Sequence, residues 1–338
     1  MRRRELYVQG PGVGMAISGS AVARLYFRRE YGEVAADGSA APPHPDGYSQ
    51  IALESRFARV ADGQAGTVLA GTHKLARWRV HVEPRAGAAL LVRVQVQGPF
   101  GLPLVQSLIL EPLLGVAAAR QALALVPGAL LLDAELRGVL LVGGSGAGKT
   151  SLAARAIAAG RGVLADDRVF LDRHATASRF ARRMRLYADI RETAPAAWEA
   201  LSPGAQARLR AVSALRGASG GRFAPPVAVA RAELGAPPPP LSAPVGRILL
   251  LRRTERDDAR LTDVSAAAAV EEIEARIRDD RAALHGCGLD DALRTVTHGD
   301  QAVLEGAVGA LDVQRLDIPL AWPAARSVQR LAAELGMT

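Results

Sequence analysis

The first hundred residues contain short runs in which apolar and polar positions alternate. Three of them, "GTVLAG", "ARWRVHVEP" and "ALLVRVQVQG", lie within residues 51–98 and are separated by turn residues. Because a period of two is typical of strands that bury one face, this region is expected to form an antiparallel sheet with one solvated face. The earlier run "ARLYFRREYGEV" also alternates and predicts a strand. The Pro- and Gly-rich residues 37–47 predict an exposed loop.

The pattern changes in the middle of the chain. The apolar stretch "PLVQSLILEPLLGVAAARQALALV", residues 103–126, predicts a helix packed on both sides. From about Leu130, the runs "GALLLD" and "GVLLVGG" predict buried strands, and "KTSLAARAIAAG" predicts a helix that ends at Gly160. The run "GVLADDRVFLD" predicts either a further pair of strands or one strand followed by a turn. Strands alternating with helices in this way indicate an α/β layered fold.

The last third of the chain continues this α/β pattern after a Gly- and Pro-rich interruption near residues 217–244. "VGRILLLRR" predicts a buried strand, and "SAAAAVEEIEARIRDDRAALHG" predicts a helix. "PAARSVQRLAAELG" predicts an amphipathic helix whose apolar face carries Val328, Leu331 and Leu335. We therefore predict two domains: a β-rich domain over residues 1–110 and an α/β domain over residues 111–338.

Composition narrows the class of protein. The 338 residues include ample apolar side chains for a core, but no apolar run reaches the ~20 residues that span a bilayer. The start "MRRREL" lacks the apolar stretch of a secretory signal, and the lone Cys287 excludes an internal disulfide. We therefore expect a cytoplasmic protein without a membrane segment.

The net charge of +8 is carried almost entirely by arginines spread along the chain, since Lys74 and Lys149 are the only lysines. This spread does not indicate a dedicated nucleic-acid surface, so no nucleic-acid partner is expected. It also singles out Lys149, which is a lysine in a chain that hardly uses lysine.

The stretch "GGSGAGKT" matches the phosphate-loop pattern G-x-x-x-x-G-K-[ST] in full. An apolar strand precedes it and a helix-forming run follows, which is the context that the motif needs. In such loops the backbone N–H groups and the helix dipole hold phosphate, the lysine reaches the β- and γ-phosphates, and the Ser/Thr hydroxyl binds Mg²⁺. The residues expected to contact ATP are Gly143, Gly144, Ser145, Gly146, Ala147, Gly148, Lys149, Thr150 and Ser151.

Paired carboxylates follow the loop: Asp166 and Asp167 end an apolar run seventeen residues beyond Lys149. A strand running beside the phosphate-loop strand would bring both to the γ-phosphate. In a phosphotransferase, one carboxylate holds Mg²⁺ and another accepts the proton of the attacking hydroxyl. The alternative is a solvated turn in which the two acids pair with Arg168.

The stretch "GVLLVGGSGAGKTSLAARAIAAGRGVLADDRV" resembles the HPr kinase/phosphorylase family, whose members phosphorylate a serine of a small carrier protein, and in particular the HPr-kinase-like proteins of peptide-modification gene clusters. The resemblance covers roughly residues 110–335. It implies a P-loop kinase domain of HPr-kinase type, distantly related to phosphoenolpyruvate carboxykinase, preceded by the smaller β-rich domain. It further implies that Asp166 is the catalytic base and Asp167 a Mg²⁺ ligand alongside Thr150, with the two aspartate roles exchangeable.

Two departures from that family bear on activity. Where the family has a histidine, just before the strand that leads into the loop, this chain has Pro127. The segment after the aspartates also differs from that of true HPr kinases. In it, Arg182, Arg183 and Arg185 could bind phosphate or an acidic substrate, but we favour a solvated basic face.

These observations predict an ATP- and Mg²⁺-dependent kinase that phosphorylates a hydroxyl, most readily a Ser or Thr of a peptide or protein, with Asp166 and Lys149 as catalytic residues. The β-rich N-terminal part would recognise the acceptor or a partner, and a homo-oligomer is compatible with the family. Two alternatives stay open: a small-molecule kinase, and a nucleotide-binding scaffold or ATPase without a phosphoacceptor.

Overall fold

The computed structural model describes residues 5–32, 49–57, 68–73, 76–84, 90–98, 101–220, 222, 224–285 and 289–337. It is a mixed α/β protein. Its ten α-helices within these ranges are α1 Ala21–Tyr31, α2 Gly101–Val105, α3 Glu111–Ala119, α4 Lys149–Ala158, α5 Ile190–Thr193, α6 Pro195–Ala200, α7 Pro203–Ala218, α8 Ala266–Asp280, α9 Asp290–Val308 and α10 Ala324–Glu334. The predicted loop at residues 37–47 lies outside the described residues.

Within the described ranges, sixteen strands form three sheets. Their bounds are β1 Glu5–Gly10, β2 Val13–Gly19, β3 Ser49–Phe57, β4 Val68–His73, β5 Ala76–Pro84, β6 Leu90–Gln97, β7 Leu123–Leu132, β8 Gly138–Gly143, β9 Val163–Ala165, β10 Arg168–Asp172, β11 Thr176–Arg179, β12 Met184–Leu186, β13 Val227–Val229, β14 Ser242–Thr254, β15 Arg260–Asp263 and β16 Asp312–Pro319.

The N-terminal sheet has the strand order β1-β2-β3-β6-β5-β4. It is mixed, because β2 and β6 both run parallel to β3, so the prediction of a purely antiparallel sheet was wrong. The parallel pairs arise because α1 lies in the connection from β2 to β3, and β4 and β5 lie in the connection from β3 to β6. The predicted solvated face is confirmed on β5, where Trp78, Val80 and Val82 are buried and Arg77 is exposed.

The run "ARLYFRREYGEV" was predicted to be a strand, but its first nine residues belong to helix α1. Ser20 caps this helix by accepting a hydrogen bond from the backbone N–H of Ala23 at 3.2 Å. Ala23, Phe27 and Tyr31 are fully buried at a spacing of four residues, which is the period of a helix. The local alternation was therefore misleading, and the helical period with its cap determines the structure.

The predicted helix over residues 103–126 is in fact a helical stretch over Gly101–Ala119 followed by a strand. Residues 106–110 form a π-helical segment between α2 and α3, and β7 begins at Leu123 after a turn in which Ala122 has a φ of 53°. Gly101–Ala119 has the length and apolar composition of a membrane span, but 72% of its most apolar window is buried within the protein. Such extensive burial within the protein is typical of a helix in a hydrophobic core.

The second sheet has the order β11-β10-β7-β8-β14-β16-β15, and β9 also pairs with β7. Strands β8, β14 and β16 are parallel to one another, and β7 is antiparallel to β8. Helix α4 packs against α5, α6 and α10. The predicted strands around β7, β8 and β14 and the helices α4, α8 and α10 are confirmed, and in α10 Val328 and Leu331 are buried as predicted.

Two compact units emerge from the contacts within the chain. The first comprises Met1–Leu125, Phe170–Arg173 and Glu274–Leu304, and the second comprises the remainder. The first unit thus extends beyond the predicted 1–110 segment and includes a part of the chain far from it in sequence. Whether residues 1–110 and 111–338 fold as separate domains stays a prediction.

Candidate active site

The phosphate-loop sequence forms a tight turn between a buried strand and a helix. Strand β8 ends at Gly143, and α4 begins at Lys149. Gly146 and Gly148 adopt φ angles of 77° and 92°, in the left-handed region that favours glycine. No side chain caps α4, and its first turn contains no acidic residue. The N–H groups at this helix end are therefore arranged to accept an anion.

Neighbouring strands and helices fix the loop at both ends. A Cβ on Gly143 would lie 2.8 Å from both the Cβ and the carbonyl oxygen of Leu251 on β14. A Cβ on Gly148 would lie 3.1 Å from Val328 and 3.2 Å from Leu331, both on α10. The glycines thus allow close approach as well as unusual backbone angles, and the loop rests on the core of the second unit.

Replacing Gly143 by Ala is expected to destabilise the protein by about 1–3 kcal/mol, because the added methyl group would overlap backbone that cannot move cheaply. Gly204→Ala is the matched control, since Gly204 lies in the first turn of α7, where an added methyl group would meet no atom within 4 Å. Thermal unfolding of both variants would test this. Equal melting temperatures for the two variants would contradict the close packing at Gly143.

Lys149 lies at the first position of α4 with its side chain folded over the loop. Its Nζ donates hydrogen bonds to the carbonyl oxygens of Gly143 at 2.6 Å and Gly144 at 3.0 Å. Thr150 and Ser151 follow and are partly buried, whereas Ser145 at the tip of the loop is exposed. The ammonium group is therefore held at the mouth of the loop, where phosphate oxygens would be received.

The aspartates lie at the same sheet edge as the loop, but on a different strand from the one predicted. Strand β9 pairs with β7, which separates it from β8. The reason is the short turn from Asp133 to Arg137, which makes β7 and β8 hairpin neighbours. The prediction that the aspartate strand runs directly beside the loop strand was wrong.

The register of β7 nevertheless brings the ends of the two strands level. Gly128 of β7 pairs with Val142 of β8, and its N–H donates to the carbonyl oxygen of Asp167 at 2.8 Å. Strands β8 and β9 run in the same direction, because both are antiparallel to β7. Two strand spacings place the end of β9 about 10 Å from the start of the phosphate loop. A phosphate group can bridge such a gap.

Asp166 is almost completely buried, with 4% of its surface exposed. Its Oδ2 accepts no hydrogen bond from any described residue. Burial raises the pKa of Asp166 above its usual value, while Arg182 and Arg231 act in the opposite direction. The alternative of a solvated turn is therefore wrong for this residue. An unsatisfied carboxylate oxygen with a raised pKa is suited to taking a proton.

Asp167 differs from its neighbour because two arginines hold it. Its Oδ2 accepts from Arg168 Nη1 and Arg182 Nη2, both at 2.7 Å, and a third of its side chain is exposed. The surrounding protein alone would raise the pKa of Asp167, but the positive charges of Arg182, Arg168 and Lys149 outweigh this and hold the pKa well below its usual range. Asp167 is therefore a permanent anion at this site.

Replacing Asp167 by Asn is expected to lower stability at neutral pH by about 1–2 kcal/mol, a value reduced for its partial exposure. The pKa of Asp167 is lower in the folded than in the unfolded chain. Its contribution is therefore complete above the usual Asp pKa and is lost as the pH falls below it. Thermal unfolding from neutral to acidic pH should show the two proteins converging at low pH. A difference that grows on acidification would contradict this.

Besides Arg168, two further buried arginines complete the site: sequence analysis favoured a solvated face for Arg182 and did not name Arg231. Arg182 is 6% exposed and pairs with Asp167, so the predicted solvated basic face is wrong at this position. Arg231, also 6% exposed, donates to the carbonyl oxygen of Val163 on β9. Arg183 and Arg185 are partly buried. The adjacent arginines 182 and 183 were a usable signal, but no spacing rule connects Arg231 to the aspartates.

Pro127 directly precedes Gly128, on the strand between the loop and the aspartates, and is partly buried. Proline has no side-chain proton to give or accept and no backbone N–H. The side chain at this position therefore offers neither an acid nor a base.

The arrangement is compatible with Mg²⁺ and a nucleoside triphosphate. Among the described residues, no hydrogen bond uses the Oδ1 of Asp167, and Thr150 lies on the first turn of α4. One carboxylate and one hydroxyl are few protein ligands for Mg²⁺, but this ion usually completes its octahedral coordination with phosphate oxygens and water.

No protein-family model matches this chain, and no curated protein matches its sequence.

Proposed function

We propose that this protein is an ATP-dependent kinase of HPr-kinase type, which transfers the γ-phosphoryl group to the hydroxyl of a Ser or Thr in a peptide or protein. The observation that carries the proposal is the position of Asp166. It is a buried carboxylate with an unsatisfied oxygen, at the same sheet edge as a complete phosphate loop. A carboxylate at this position can accept the proton of an attacking hydroxyl group.

In this proposal the loop N–H groups and Lys149 bind the phosphates of ATP. Mg²⁺ held by Thr150 and Asp167 would neutralise charge on the β- and γ-phosphates. Asp166 Oδ2 takes the proton of the acceptor hydroxyl, whose oxygen forms a bond to the γ-phosphorus. The bond from that phosphorus to the β–γ bridging oxygen breaks, and ADP keeps the electron pair. Asp166 then releases its proton to solvent.

The buried arginines have a consistent role in this scheme. Arg182 and Arg168 fix the carboxylate of Asp167. Arg231 holds the backbone of β9, the strand that leads directly into the turn with both aspartates. Together they preorganise the acid pair, so that little rearrangement is needed when charge develops on the transferring group. In this scheme, the β-rich N-terminal part recognises the acceptor peptide or protein.

The test is incubation of the protein with γ-labelled ATP, Mg²⁺ and peptide and protein fractions of the producing cell, followed by mass spectrometry. Phosphate on one Ser or Thr, absent with Lys149→Ala, is the expected result. Label found only on a metabolite would replace the proposal with a small-molecule kinase. Label found only as free phosphate, or nucleotide binding without turnover, would favour an ATPase or a nucleotide-binding scaffold.

A further inference from the structure

The turn between β16 and α10, residues 320–323, lies at the sheet edge that carries the phosphate loop. Strands β8, β14 and β16 are adjacent and parallel, so their carboxyl ends share one edge. The pairing register aligns Gly143 with Leu251 and Leu251 with Leu316, and β16 continues three residues further to Pro319. The turn therefore begins beyond the level at which β8 passes into the loop.

Arg253 fixes the backbone of this turn. Its Nη2 donates to the carbonyl oxygens of Leu320 at 3.0 Å and Trp322 at 3.2 Å, and its Nη1 donates to Ser327 Oγ at 2.7 Å. The N–H of Leu320 also donates to the carbonyl oxygen of Thr254 at 2.7 Å. The turn is thus tied to β14 on one side and to α10 on the other, which makes it a preorganised surface.

Helix α10 brings this turn close to the phosphate loop. A Cβ on Gly148 would lie 3.1 Å from Val328 and 3.2 Å from Leu331, both on α10. The helix begins at Ala324, four residues before Val328, which is about 6 Å along the helix axis. The first turn of α10 and the residues before it are therefore neighbours of the loop.

A stacked pair of side chains lies at this position. The Cζ of Arg326 is 3.8 Å from the ring centroid of Trp322, and Trp322 itself packs against the core of the second unit. Arg326 is exposed, and no carboxylate of the described residues forms an ion pair with it. Leu320, on the same turn, is 55% exposed. A guanidinium held over an aromatic ring, next to an exposed leucine, suits the stacking of a flat nucleobase.

The position of the aspartates determines the side on which a base would lie. Asp166 and Asp167 follow β9, which lies on the β7 side of the phosphate-loop strand β8. In the proposed reaction the γ-phosphate faces them, so the base of an extended nucleotide lies on the opposite side, over β14 and β16. Strand β16 is two strand spacings, about 10 Å, from β8, a distance that two phosphates and a ribose can span.

We propose that the turn between β16 and α10 is the site for the adenine base of ATP. The base stacks on the outer face of the Arg326 guanidinium and contacts Leu320, while the loop holds the phosphates. This assignment rests on the proposed function, because the γ-phosphate sets the direction of the nucleotide. It makes the turn responsible for the difference in affinity between ATP and the same molecule without its base.

Isothermal titration calorimetry of the full chain with Mg²⁺ tests this, with ATP compared with ribose 5-triphosphate, which lacks the base. ATP is expected to bind about fivefold or more tightly, because stacking of one base contributes at least that much. Equal affinity for the two compounds would overturn the base site and leave the phosphate loop in place. Binding of neither compound would overturn the assignment of the loop to the nucleotide, and the base site with it.

Variants locate the base. Arg326→Ala should weaken binding of ATP about fivefold or more, and Leu320→Ala should weaken it less, while ribose 5-triphosphate should bind both variants within about twofold of the native affinity. Arg330→Ala is the matched control, since it removes the same charge one turn further along α10, where Arg330 pairs with Glu334. Equal weakening of both compounds by Arg326→Ala would show that this arginine contacts phosphate and would overturn the proposal. Unchanged affinity for ATP in Arg326→Ala would place the base elsewhere and overturn it too.

Discussion

Replacing Asp166 by Asn is expected to slow phosphoryl transfer by about 10²–10⁴-fold while nucleotide affinity stays near that of the native protein. Asn keeps the size of the side chain but cannot take the acceptor proton at Oδ2. Nucleotide affinity should persist because the phosphates would be held by the loop from Gly143 to Thr150, which the substitution leaves untouched.

The thermal stability of Asp166→Asn distinguishes a loss of catalysis from a loss of folded protein. Burial raises the pKa of Asp166, so ionising this carboxyl group costs the folded chain stability as the pH rises through the raised pKa. A permanently neutral Asn should therefore melt no lower than the native protein at pH 7. An inactive variant that is at least as stable would point to lost chemistry.

The measurement is single-turnover transfer from γ-labelled ATP beside a nucleotide-binding titration and thermal unfolding. Asp312→Asn is the matched control, because Asp312 is an exposed carboxylate at the start of β16 and should leave all three quantities unchanged. Transfer at the native rate in Asp166→Asn would remove Asp166 from the role of base, and Asp167 would be the residue to substitute next.

Replacing Lys149 by Ala is expected to weaken binding of ATP by about 10–100-fold and to reduce transfer below detection. The removed ammonium group supplies charge-assisted hydrogen bonds to phosphate, each worth about 1.5–3 kcal/mol. Its loss also takes away charge stabilisation as the γ-phosphoryl group moves, which is why transfer should suffer more than binding.

Ser145→Ala provides the comparison for Lys149. Ser145 lies in the same loop with its side chain exposed, and the loop is expected to hold phosphate through backbone N–H groups. Nucleotide affinity in Ser145→Ala should therefore stay within about threefold of the native value, because substitutions of exposed side chains usually have small energetic effects. Native affinity and turnover in Lys149→Ala would contradict the assignment of this loop to the nucleotide.

The sequence correctly predicted those parts of the site in which a motif and the strand or helix next to it are adjacent in the chain. The loop motif requires a strand before it and a helix after it, and β8 and α4 lie at those positions. Its glycines at 146 and 148 have the positive φ angles that the motif suggests. The position of Asp166 and Asp167 at a turn between β9 and β10 is likewise local, and "GVLADDRVFLD" indicated it.

What sequence could not provide depends on contacts between distant segments. The neighbour of β8 is decided by the β7–β8 hairpin, so the aspartate strand lies one position further away than the motif spacing suggested. Arg231 reaches Val163 across 68 residues of chain, and no periodicity connects the two. Helix α1 was missed for a different reason, since one amphipathic face can resemble strand alternation when the cap at Ser20 is overlooked.

The interleaving of the two units has a consequence for how the chain folds as it is made. The first unit includes both the N-terminal sheet, whose last strand ends at Gln97, and Glu274–Leu304, so this unit is complete only when residue 304 has been synthesised. Neither unit is complete until most of the chain has been made, so we expect the two units not to fold one after the other during translation. Any truncation before residue 304 removes part of both units at once.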